Sequence, residues 1–189
     1  PISPAGLAVH ESGEAVFVAE RDDDSVAVID VNSQRVLSRV TVGARPFALL
    51  YDTPRQRLYA LNVQSNDLSV LDTRDLFRTG KLVPIATVAV GKAPYGAAMA
   101  DGGKLLYVTN QHEDSVSVID ADTLKVVRTL RGFGYPEGIA SHRDRVYVVN
   151  WMDDNLSVLD AVSGQTIKTI ATGQNSRGFG AFIGDAPAP

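Results

Sequence analysis

Apolar and polar positions alternate along this chain in short runs, and the runs recur in the same order four times. The clearest copy is Tyr107-Val108-Thr109-Asn110, a polar tip from Gln111 to Asp114, and then Ser115-Val116-Ser117-Val118-Ile119-Asp120. The other copies begin at Phe17, Tyr59 and Tyr147 and end at Asp30, Asp72 and Asp160, always with the aromatic and the Asp 13 positions apart. Period-two alternation of this kind predicts strands, and a fixed repeat predicts units that bury their apolar faces against one another.

Each unit divides into four expected strands. The first opens on Pro and small residues, as in Pro4-Ala5-Gly6-Leu7-Ala8 and Pro136-Glu137-Gly138-Ile139-Ala140. Gly and Ala suit a place where backbones crowd together. The second carries the aromatic column, and its apolar residues on both faces fit a sheet covered on both sides. Third strands alternate cleanly, with Val116 and Val118 flanking Ser117. A weaker fourth is expected over 36–42, 85–90, 126–130 and 166–170. The Asp closing the third strand starts Asp-x-x-Ser/Thr in three copies, Asp30 to Ser33, Asp120 to Thr123 and Asp160 to Ser163. A carboxylate there is expected to accept backbone N–H groups in an Asx-type turn, which makes these aligned acids structural rather than catalytic.

Four antiparallel strands every ~42 residues predict an all-β fold, a β-propeller of four-stranded blades. The opening prolines at 4, 46, 94 and 136 set blades over about 4–45, 46–93, 94–135 and 136–175, with a closing strand at 176–183. The middle step is longer because of an insertion around Thr73 to Lys81, and no helix is required anywhere.

The Tyr107-Val108-Thr109-Asn110 tetrapeptide, the 114–120 run and the Pro-x-Gly opener resemble the YVTN family of β-propeller repeats, from Pro4 to Ile183. That resemblance implies a seven-bladed ring, in a scaffold shared by periplasmic binding proteins, surface-layer proteins and quinoprotein- or lactonase-type relatives. Four blades and one strand then read as the later part of a longer propeller, with roughly 120 residues expected upstream at the usual period. A small four-bladed ring with a redundant strand and two chains completing an eight-bladed ring are the rival closures.

Composition changes this picture little. Of 189 residues, 44% are hydrophobic and 21% charged, the range of ordinary globular proteins. The net charge of -4 weighs against a nucleic-acid partner, and no apolar run is long enough to span a membrane as a helix. Cysteine is absent, which excludes disulfides, thiolate metal sites and a Cys nucleophile, and suits an oxidising compartment. With the resemblance, it leads to the expectation of a periplasmic or extracellular protein.

Candidate chemistry gathers where loops between strands two and three meet those leading into the next first strand. The residues that break the repeat there are the informative ones. Arg21 and Trp151 hold a tip position that is Val63 and Gln111 in the other blades, and Trp151 is the sole Trp. Such a ring stacks a ligand or packs on the next blade. Arg45, Phe47, Lys92, Tyr95, Tyr135 and Arg177, with His112 at a third tip, complete a cationic, aromatic-lined mouth suited to an anionic or planar ligand. Asp24, Asn66, Asp114 and Asp154 occupy equivalent tip positions and read as turn residues.

No catalytic constellation, metal motif or cofactor motif is present, and no cofactor is expected. The leading expectation is a non-catalytic scaffold that binds a small molecule or a protein at this rim. The alternatives are a lactonase-like hydrolase or quinoprotein dehydrogenase component, and single-stranded nucleic-acid binding. First strands that supply Glu137 as their only carboxylate weigh against metal chemistry on these blades.

Overall fold

The computed structural model describes residues 3–178 and 183. They form an all-β fold of four separate four-stranded antiparallel sheets, the blades of a partial β-propeller. Blade one comprises β1 (Pro4–Val9), β2 (Ala15–Glu20), β3 (Ser25–Asp30) and β4 (Arg35–Thr41). Blade two comprises β5 (Pro46–Asp52), β6 (Arg57–Asn62), β7 (Asp67–Asp72) and β8 (Val83–Ala89). Blade three is β9 (Pro94–Ala100), β10 (Leu105–Asn110), β11 (Ser115–Asp120) and β12 (Lys125–Arg131), and blade four is β13 (Pro136–His142), β14 (Arg145–Asn150), β15 (Asn155–Asp160) and β16 (Thr166–Ala171). Strands lie side by side in chain order within every sheet.

The alternation explains the pairing. Phe17 opposes Val28, Tyr59 opposes Val70, Tyr107 opposes Val118 and Tyr147 opposes Val158, so ring and β-branched side chain share one face in each blade. Every third strand meets its fourth through a β-bulge just after that valine, which bends the outer strand.

The chain falls into two compact units, Pro1–Pro94 and Tyr95–Pro189. In the first, Phe17, Val26 and Val28 pack with Leu58, Ala60 and Leu71 of the neighbouring blade. In the second, Tyr107, Val116 and Val118 pack with Ile139, Val146, Val148 and Leu159. Tyr107 also donates its hydroxyl proton to the Ala161 carbonyl at 3.1 Å, so its polar tip is satisfied across the blade boundary.

First strands of neighbouring blades touch through glycine. A Cβ on Gly6 would lie 2.3 Å from the Phe47 carbonyl oxygen, and one on Gly96 would lie 2.7 Å from that of Glu137. A Cβ on Gly138 would fall 2.0 Å from the carbonyl oxygen of Gly178, so the chain at 178 lies as close to β13 as β13 lies to β9. Of the closing strand expected at 176–183, residues 176–178 are described and carry no strand pairing, and 179–182 lie outside the described residues.

One expectation is corrected. The insertion does not pass as plain loop: Leu76–Thr79 forms one α-helical turn, α1, closed by Gly80 in the left-handed conformation. The turn exists because Leu76, fully buried, and Leu82 reach the core of the first unit. A loop that must bury two leucines needs its backbone hydrogen bonds met locally, and a helical turn meets them.

Candidate binding rim

A repeated clamp sets the geometry of this end of the blades. Arg45, Ala93, Tyr135 and Asn175, each one residue before a first strand or its equivalent, all have left-handed φ near 54°. Their backbone N–H groups donate to Asp24, Asn66, Asp114 and Asp154 at 2.8, 2.9, 3.0 and 2.6 Å. The carbonyls of Arg45 and Tyr135 in turn accept the N–H of Val63 and Trp151 at 3.0 and 3.3 Å. Tip and connection are therefore tied on both sides of one residue. The tip acids are structural, and the Asx turns are too: Asp30, Asp120 and Asp160 accept the N–H of Ser33, Thr123 and Ser163 at 2.7, 2.7 and 2.8 Å.

In the second unit the clamp places Tyr135 beside Trp151, with ring centroids 5.0 Å apart. Around them gather His112, Arg177 and Glu137. His112 Nε2 lies 3.1 Å from the Tyr135 hydroxyl, and the Arg177 guanidinium stands 4.8 Å over the Trp151 ring. Beneath Arg177, its Nε 3.8 Å away, is the carboxylate of Glu137, which is only 2% exposed. Thr109 fixes the backbone there, donating to the Glu137 carbonyl at 2.8 Å. Gln111 donates its amide to Glu137 Oε1 at 2.9 Å. Glu137 Oε2 and Trp151 Nε1 are both buried without a hydrogen-bond partner among the described residues.

Two buried glutamates make the electrostatics plain. Burial pushes both carboxyls up. For Glu20, donation from Arg39 at 2.8 Å and Ser25 at 2.7 Å outweighs burial and leaves it below the ordinary carboxylate value. For Glu137 burial prevails over the attraction of Arg177 and the Gln111 bond, and its carboxyl sits above that value. The difference is one of donors: Oε2 of Glu20 has two within hydrogen-bonding distance, whereas Oε2 of Glu137 has none among the described residues.

Four of the nine candidate residues thus converge: His112, Tyr135, Trp151 and Arg177. In the first unit Arg21 lies 6.0 Å over the Phe47 ring, and Arg45 pairs with Asp22 at 3.5 Å. Lys92 is exposed in the first unit, and Tyr95 is half-buried at the second position of β9. The sequence alone did not mark Gln111 and Glu137 as members of this cluster. The available signal was that Glu137 is the only carboxylate in the five-residue openers of the first strands, Asp52 lying at the far end of β5. His10 is remote from the rim, buried against Tyr51 and Phe77 at 5.1 and 4.9 Å. Among the described residues no group of three or more His, Cys, Asp and Glu is placed to hold a metal ion.

Comparison with known proteins agrees with this architecture. Residues 2–187 match the family model described as a YNCE-like beta-propeller. The uncharacterized protein YncE of Salmonella typhi is 29% identical over 144 residues, 74% of this chain and 38% of that protein. The chain therefore spans well under half of that relative's length. Among solved structures, Kuenenia stuttgartiensis hydrazine synthase superposes with a TM-score of 0.77 at 22% identity, over 88% of this chain and 48% of that one. U3-55K gives 0.78 at 18% identity, over 92% and 53%. At these identities the likeness is one of fold.

Proposed function

This chain belongs to the YNCE-like β-propeller family, and from that premise we propose that it is a non-catalytic, exported scaffold that binds a partner at the rim of its second unit. Its repeats are of the YVTN type, and its blades form part of a larger, seven-bladed ring. The single observation that carries the binding role is the convergence of Tyr135, Trp151, Arg177 and His112 over the buried Glu137. An aromatic platform with a cation on it and polar atoms left open beneath is the composition of an interaction hot spot rather than of inert surface. The clamps preorganise it, which lowers the entropy lost on binding. Export is supported by the absence of cysteine, and the larger ring by coverage of only about half of the similar solved structures.

Site-specific crosslinking tests the rim. Met152, next to Trp151 and 65% exposed, is replaced by a photoreactive residue in cells, with a matched probe at the exposed Val127 of β12. A discrete adduct from position 152 that is absent at 127 and lost with Trp151→Ala is expected. Equal labelling from both positions, or none from 152, would refute the rim as the docking face. Cell fractionation reads export independently.

A further inference from the structure

The fold has taken the Glu137 carboxylate out of water and left it half served. Oε1 has the Gln111 amide; Oε2 is buried and accepts no hydrogen bond from the described residues. Its nearest cation, Arg177 Nε at 3.8 Å, is beyond hydrogen-bonding distance, so the pair is electrostatic only. A buried charge with an unmet lone pair keeps a strong demand for a donor. Arg177 is a loose answer to that demand. Its side chain is 52% exposed, and the described stretch that carries it, 172–178, forms no strand. Among the described residues it otherwise meets the face of Trp151, 4.8 Å away. The Trp151 Nε1–H beside it is buried and has no acceptor among the described residues.

These atoms describe a slot for a flat or compact cation: an aromatic face on one side, a buried carboxylate on the other, and a donor for a neighbouring carbonyl. We propose that the slot recognises an Arg or Lys side chain of a partner protein, and that Arg177 is its internal stand-in, displaced when the partner docks. The incoming guanidinium or ammonium reaches Glu137 Oε2 with a true hydrogen bond and takes over the Trp151 face. A carbonyl of the segment that carries it accepts from Trp151 Nε1. An anionic ligand has the opposite effect, since drawing Arg177 outward strips Glu137 of its counter-charge. The chain's net charge of -4 favours approach of a basic partner. The inference rests on the rim reading above and narrows it to one ligand chemistry.

Trp151, the sole Trp, reports directly on the slot. The intact chain is titrated at constant ionic strength with ethylguanidinium chloride, sodium phosphate or an oligothymidylate, following Trp emission. Ethylguanidinium is expected to give a saturable change that neither other titrant gives. Arg177→Ala should tighten it about tenfold, the gain from removing an internal competitor that fills the slot roughly nine-tenths of the time. Glu137→Gln should abolish it, with Glu137→Asp deciding the matter if the first variant melts early. Weaker binding in Arg177→Ala, or unchanged binding in both Glu137 variants, overturns the proposal. A response to phosphate or oligonucleotide instead overturns the cation slot while leaving the rim as docking face, and crosslinking from position 152 judges that face separately.

Discussion

At the scale of single residues, Glu20 and Glu137 show how little distinguishes a structural acid from one with chemistry to spare. Both are buried, and both sit where a loop meets a sheet. Their pH dependences run in opposite directions. Glu20, held low, contributes stability that is present above its unfolded value and is lost as pH falls through its folded one. Glu137, held high, contributes stability that is fully present below its unfolded value and is lost as pH rises through its folded one. Urea titrations from about pH 3 to about pH 6, a range that brackets ordinary carboxylate values by roughly one unit or more on each side, should therefore show Glu20→Gln losing part of the acid-side slope. Glu137→Gln should gain relative to wild type as pH rises. A second test concerns Tyr107, whose hydroxyl meets the Ala161 carbonyl in the core. Tyr107→Phe removes that donor and should cost about 1 kcal/mol in chemical denaturation.

At the scale of elements, the alternation and the 13-residue spacing made the strands legible, because strand register depends on local pattern. The rim was legible only in part. Trp151 stood out by breaking a repeat, and Tyr135, Arg177 and His112 as ring or cationic residues at the expected rim, which sequence displays. The role of Glu137 did not, because Gln111 is 26 residues away and contacts it through the apposition of two blades. The insertion was visible as extra length, but α1 was not: four residues are too short for helical periodicity to appear. Its value is testable. Leu76→Ala empties a fully buried position and should cost about 2–5 kcal/mol, seen as a lowered urea midpoint. Among the clamps, Asp114→Ala frees the Tyr135 N–H and should cost roughly 0.5–2 kcal/mol, as lost caps do, while shifting Trp151 emission.

At the scale of the whole molecule, every blade presents its fourth strand as a sheet edge. Such edges invite pairing with other chains unless something blocks them. β4 carries Arg35 and Arg39, β12 carries Lys125, Arg128 and Arg131, and β16 carries Lys168. β8 has no charge at all, exposes Val83 and Ile85, and relies on Pro84. Pro84→Val restores a backbone donor on that edge and should raise light scattering at equal concentration, most of all near pH 5.3, where the net charge vanishes.

The clamped residue before each first strand has a wider consequence. Arg45, Ala93, Tyr135 and Asn175 share one backbone shape and almost nothing else. Because a neighbouring acid or amide holds that shape through the main-chain N–H, the side chain is at liberty to vary. Mutation can then try a guanidinium, a methyl, a phenol or an amide at the same spot without disturbing the chain's path. A lineage built on this device can change what it recognises while its architecture stands still.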